Sequence, residues 1–102
     1  MKLSENEKKA LKNRLVSCLY REKEIEKIVI FGSFNTSDNP NDIDILIYQN
    51  SNLPYLPLAL KYRKKTRSLS KKIPLDIIPV TTSINNESLL FDIKNGEVVY
   101  EK

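Results

Sequence analysis

Asp42 and Asp44 stand one residue apart at the opening of an apolar run, Asp42-Ile43-Asp44-Ile45-Leu46-Ile47-Tyr48. Alternation along a strand puts residues i and i+2 on one face, so both carboxylates project together while Ile43, Ile45 and Ile47 point into a core. Two anions this close repel, and the arrangement costs free energy unless a cation, a proton or hydrogen-bond donors balance it. Mg²⁺ is the natural partner, because it prefers oxygen ligands and commonly binds through one or two carboxylates plus the phosphates of a substrate. Asp76 repeats the theme inside Ile73-Pro74-Leu75-Asp76-Ile77-Ile78-Pro79, where a buried unpaired charge is expensive. If its strand lies beside that of Asp44, three carboxylates reach one place and can hold two cations about 3.5 to 4 Å apart, the arrangement of phosphoryl or nucleotidyl transfer. Gly32-Ser33 closes an earlier apolar run; the glycine permits a sharp turn and close approach of a phosphate, and the serine offers a backbone N–H and a hydroxyl.

Each piece also has a plain structural explanation. A Gly-Ser pair after a strand is usually a turn, and Asp42 and Asp44 after Pro40-Asn41 serve equally as polar residues at a strand entrance. The conjunction favours chemistry: the structural explanations must hold three separate times. The chain has no histidine and one cysteine, Cys18, which removes Cys/His zinc sites, the Ser-His-Asp triad and imidazole acid-base catalysis. Carboxylates, hydroxyls, amines or a hard metal ion remain.

The elements that must position these residues are readable in outline. Ser4-Glu5-Asn6-Glu7 is a capping box, and Leu11, Leu15, Cys18 and Leu19 form one stripe of a helix that fades near Arg21 to Glu24. Cys18 on that stripe reads as packing. Ile28-Val29-Ile30-Phe31 is a strand buried on both faces, Ser33 to Asn41 is loop with a short helical turn as an option, and Asp42 to Tyr48 is the second strand. So short a link makes those two strands antiparallel if they are neighbours. Asn50 to Pro57 reads as loop, Leu58 to about Leu69 as helix, and Leu75 to Ile78 as a third strand stopped by Pro79 and parallel to the second. A last helix is expected around Asn86 to Lys94, ending at Asn95-Gly96, before a closing strand Glu97 to Tyr100. The order αββαβαβ gives a single domain over residues 1–102, an α/β (α+β) fold with a small mixed sheet flanked by helices.

The length of 102 residues fits one core, and 40% hydrophobic with 29% charged residues is ordinary globular usage. The start lacks the apolar stretch of a signal peptide, no run is long enough to span a bilayer, and the lone cysteine forms no internal disulfide, so the cytoplasm is the expected location. The formal charge of +4 is unevenly spread. Lys61, Arg63, Lys64, Lys65, Arg67, Lys71 and Lys72 are seven bases with no acid among them, leaving ten bases against thirteen acids elsewhere. That patch suits an acidic partner face, RNA or a triphosphate, or is a solvated helix face.

Phe31-Gly32-Ser33 followed by Asn41-Asp42-Ile43-Asp44-Ile45-Leu46-Ile47 resembles the signature of the DNA polymerase beta-like nucleotidyltransferase superfamily, in particular its minimal prokaryotic members. The leading amphipathic helix, Leu75-Asp76-Ile77-Ile78 and the ending Phe91 to Tyr100 are similar to those small proteins as well. The resemblance implies that Asp42, Asp44 and Asp76 bind two Mg²⁺ ions, that Gly32 and Ser33 hold the triphosphate of ATP, and that Asp76 helps align or deprotonate an attacking hydroxyl. That hydroxyl attacks the α-phosphate, and pyrophosphate leaves. The minimal members are antitoxins that pair with HEPN-type ribonuclease toxins and transfer AMP to a toxin tyrosine, which implies a protein acceptor and no membrane. Two features depart from the pattern: the spacer between Ser33 and Asp42 is eight residues, shorter than is common, and Phe34 and Asn35 replace an arginine often found after Gly-Ser. Both bear on triphosphate binding, so a catalytically inactive module acting by protein binding is the alternative. A basic RNA-binding domain is a weaker one, since five Tyr and three Phe form no stacking motif.

Overall fold

The computed structural model describes residues 2–81 and 96–102. Its elements are helix α1 (Glu5–Leu19), strand β1 (Ile25–Phe31), helix α2 (Ser33–Thr36), strand β2 (Ile43–Gln49), helices α3 (Tyr55–Lys65) and α4 (Arg67–Ser70), and strands β3 (Leu75–Thr81) and β4 (Glu97–Glu101). The expected helix over 86–94 lies outside the described residues.

Helix α1 begins where the capping box requires: Glu7 N–H donates to Ser4 Oγ at 3.1 Å, and Ser4 N–H donates to Glu7 Oε1 at 3.0 Å. It buries Leu11, Leu15 and Leu19, and Cys18 packs half-buried beside them. The strands form one sheet in the order β3-β2-β1-β4. As expected, β1 and β2 are antiparallel and β2 and β3 parallel; β4 closes the sheet antiparallel to β1. This is a mixed α+β sheet with helices. One sheet face carries Ile28, Ile30, Ile43, Ile45, Ile47 and Ile77, packed with the leucines of α1 and with Leu58, Tyr62, Leu69 and Ile73. Burying Ile43, Ile45 and Ile47 alone is worth roughly 5 kcal/mol or more. A slip of one residue in β2 would carry Asp44 onto the core face in place of an isoleucine, so burial fixes which face the acids occupy.

Four boundaries differ from the sequence expectation for identifiable reasons. Strand β1 starts three residues before Ile28, because Ile25 is fully buried and the strand continues past an irregularity between Ile25 and Lys27. Helix α3 starts at Tyr55 rather than Leu58, with Pro54 as its N-cap and Pro57 in its first turn, where a missing N–H leaves no hydrogen bond unmade. It stops at Thr66, whose hydroxyl donates to Tyr62 O at 2.8 Å and competes with the helical ladder, so the expected single helix is two. Pro79 does not stop β3, which runs on to Thr81; among the described residues β3 is the edge of the sheet, the place where a strand tolerates proline. Among the described residues no helix is long and apolar enough to cross a membrane.

Candidate active site

The topology brings the chemistry-bearing residues to one end of the sheet. Strand β1 ends at Phe31, β2 runs back from Ile43 antiparallel to it, and β3 starts alongside β2 in parallel, so the end of β1 and the beginnings of β2 and β3 coincide. Phe31 is the register partner of Asp44, and Asp44 is the register partner of Asp76. Paired residues of adjacent strands point to the same face, which places Asp44 and Asp76 together opposite the isoleucine core. Asp42 lies one residue before β2 and two before Asp44, half-buried.

Electrostatics agrees with this placement. Burial, followed by the negative charges of Asp42 and then Asp76, pushes the Asp44 carboxyl above its ordinary value. Among the described residues no Lys or Arg forms an ion pair with any of the three. Their side chains do not form a ready-made cage: no described group of three His, Cys, Asp or Glu is drawn together closely enough to hold a metal ion. Asp42 sits outside the strand that would lock its direction.

Gly32 is built against the acids. Its φ of 81° and ψ of −160° occupy a region that is essentially glycine's alone, and a Cβ there would fall 2.5 Å from Asp44 Oδ2. Ser33 follows as the exposed first residue of α2, the helical turn that the sequence left as an option; Ser37 N–H donates to Ser33 O at 2.8 Å. The loop leaving Gly32 is therefore a compact turn.

What secures this turn was not evident in the sequence. Phe34, directly after the Gly-Ser pair, is fully buried. Lys8 and Lys12 of α1 lie 5.6 and 5.9 Å from its ring centroid. Lys8, itself buried, donates to Ser37 O, and Asn35 Nδ2 donates to Ile30 O at 2.8 Å. One signal could have pointed here: Phe34 is the only apolar side chain in a loop of otherwise polar residues and one proline between Ser33 and Asn41. The basic segment also divides. Lys61 and Lys65 meet Glu22, and Lys61 meets Glu24 at 2.7 Å, whereas Arg63, Lys64 and Arg67 face a surface cleft beside β3.

A polymerase beta nucleotidyltransferase family model matches residues 13–102. Among solved structures, the chain is similar to a tri-AMPylated Shewanella oneidensis HEPN toxin in complex with MNT antitoxin, at a TM-score of 0.60 and 17% identity over 93% of this chain and 73% of that chain. It is also similar to a MntA-HepT toxin-antitoxin structure, at 0.58 and 16% over 92% and 73%, and to a toxin-antitoxin structure with AMP-PNP, at 0.61 and 18% over 89% and 73%. Identities this low establish a shared fold and no more. No curated protein sequence matches the chain significantly. With Gly32, Asp42, Asp44, Asp76 and the four described strands inside the matched span, the chain belongs to the polymerase beta nucleotidyltransferase family.

Proposed function

We propose that the chain transfers a nucleoside monophosphate, AMP from ATP, to a hydroxyl of a protein partner, as the antitoxin half of a pair with a HEPN-type toxin. The observation that carries this reading is the register pairing of Asp44 with Asp76 beside the glycine turn at Gly32. The carboxylate oxygens are the hard donors that Mg²⁺ takes, and the raised Asp44 carboxyl marks a place where positive charge is favourable. Asp42, Asp44 and Asp76 are the residues to hold two Mg²⁺ ions, which when bound supply charge neutralisation for the triphosphate and the departing pyrophosphate. Gly32 and Ser33 hold the triphosphate, the glycine by letting it approach the backbone and the serine through its N–H and hydroxyl. Asp76 takes the proton of the acceptor hydroxyl as that oxygen bonds to the α-phosphorus; the bond from the α-phosphorus to the bridging oxygen breaks, and pyrophosphate carries away the electron pair. The structural relatives are toxin–antitoxin structures, one of them with an AMPylated toxin and one with AMP-PNP, and they support the same acceptor class and donor.

The test supplies a HEPN-type partner together with ATP and Mg²⁺. Label from the α-phosphate, but not from the γ-phosphate, is expected to appear on the partner, and Asp44→Asn is expected to abolish it. Partner binding without label would leave the chain a binding module. No partner binding, with no metal-dependent binding of ATP, would overturn the proposal.

A further inference from the structure

Along α3, Leu56 and Leu60 are four residues apart and 60% and 54% exposed. Arg63 and Lys64 continue the same stripe, since helical neighbours recur every three to four residues, and Arg67, across the break at Thr66 and first in α4, borders the same cleft. Leu60 and these three cations border a cleft of about 410 Å³ whose floor includes Leu75 and Ile77 of β3. Among the described residues no carboxylate pairs with Arg63, Lys64 or Arg67, in contrast to Lys61 and Lys65, which Glu22 and Glu24 neutralise. Cations in a last helical turn are favoured by the helix dipole, but the dipole does not account for two exposed leucines in the turns before them. Leu75 and Ile77 flank Asp76 in the chain and point to the opposite face, so the cleft is separate from the triphosphate and metal positions.

We propose that this stripe is the docking surface for one amphipathic helix of the protein partner, lying antiparallel to α3, with carboxylates in its N-terminal turns against Arg63, Lys64 and Arg67 and leucine-like residues further along against Leu56 and Leu60. Charge complementarity selects that occupant: a surface with three cations and, among the described residues, no acid to pair with them, continued by an apolar half, matches a helix that carries acids at its own N-terminus, where the dipole also favours them. The leucine half disfavours nucleic acid, whose backbone would meet only the cationic end. Docking here holds the partner on the strand that carries Asp76. The proposal rests on the reading that the acceptor is a protein, and its test reports on the two separately.

The probe is a fluorescein-labelled helical peptide with glutamates in its first two turns and leucines at i, i+4 spacing in the next two. It is compared with the same peptide bearing glutamines and with a twenty-nucleotide single-stranded RNA, all titrated against the whole chain. The acidic peptide is expected to bind. Binding should weaken at least tenfold in Arg63→Glu/Arg67→Glu and at least fivefold in Leu56→Ser/Leu60→Ser, and the glutamine peptide should bind weakly. These residues are exposed, and an unchanged thermal midpoint verifies that the variants fold. Peptide binding that ignores both pairs of substitutions, no peptide binding, or RNA binding lost in the charge-reversed variant without peptide binding would each overturn the docking surface. Mg²⁺-dependent binding of an ATP analogue, measured on the same samples, should survive these substitutions and be lost in Asp44→Asn. Its failure in the unmodified chain sinks the transferase reading without touching the peptide result.

Discussion

Gly32 faces the carboxylate of Asp44 with no room for a single methyl group: an added Cβ would lie 2.5 Å from Asp44 Oδ2. Contacts that short do not occur, so in Gly32→Ala either the turn or the carboxylate must move. The backbone adds to the problem, because φ of 81° is costly for any side chain. Gly32→Ala is therefore expected to lose about 1–3 kcal/mol of stability, together with Mg²⁺-dependent nucleotide binding. Urea denaturation and calorimetry with an ATP analogue test it; full stability with full binding would show that the turn is not built around Asp44.

Asp44 itself should show site chemistry opposing stability. Its carboxyl is raised above the ordinary 3.8 by burial, then by Asp42 and Asp76, so the folded state binds that proton more tightly than the unfolded chain does. The sign follows: the contribution is fully present below the ordinary value and is lost as pH rises through the raised one, leaving the ionised group a cost at neutral pH. Asp44→Asn should stabilise the metal-free protein at pH 7 by about 1 kcal/mol or less, with the gain disappearing on acidification. Mg²⁺ should raise the melting temperature of the parent chain and not that of the variant. A less stable variant at neutral pH would contradict the electrostatic picture.

Glu24 works in the opposite direction. Burial alone would raise its carboxyl, but hydrogen bonds from Lys61 at 2.7 Å, from the backbone and from the Tyr62 hydroxyl at 3.1 Å outweigh it and hold the group below its ordinary 4.5. Its stabilisation is present above 4.5 and lost as pH falls through the lowered value. Glu24→Gln should cost on the order of 1 kcal/mol at pH 7, discounted for the partial exposure of Lys61, and should flatten the acid limb of stability against pH. Parallel acid limbs in the two proteins would exclude Glu24 as a source of that pH dependence.

The parts of this fold visible in the sequence are those whose signals are local and strong. Runs such as Ile28-Val29-Ile30 and Ile45-Leu46-Ile47 are β-branched or aliphatic throughout, and the alternation of Asp42 and Asp44 with isoleucine announces which face carries charge. Asp76 was legible because a lone acid inside an apolar strand needs a reason. Proline misled twice, at Pro57 and Pro79, because its effect depends on position: harmless in a first helical turn or on an edge strand, disruptive elsewhere. The Lys8, Phe34 and Asn35 contacts had no periodic signature, since Lys8 meets Ser37 across 29 residues of chain. The exposed leucines of α3 were hidden for a similar reason: only the packed structure shows which apolar residues fail to reach the core.

Lys8 offers the sharpest check on how the turn is held. It is buried, stacks on Phe34 and donates to Ser37 O, linking the first helix to the loop that leads from Gly32 to Asp42. Lys8→Met keeps the length and apolar stem of the side chain but removes the charge and the donor, leaving the Ser37 carbonyl without that bond. The loss is expected to be about 1–3 kcal/mol from the unmade hydrogen bond, plus up to roughly 1 kcal/mol from the cation–π contact. Because the affected segment is the one that shapes the phosphate side of the site, nucleotide binding should weaken more than Mg²⁺ binding does. Amide hydrogen exchange should quicken first over 33–41 and leave β1 and β2 protected. If exchange quickened uniformly across the sheet, Lys8 would be a general support of the core; if binding of the ATP analogue were unchanged while that loop loosened, the turn would not be part of the triphosphate site.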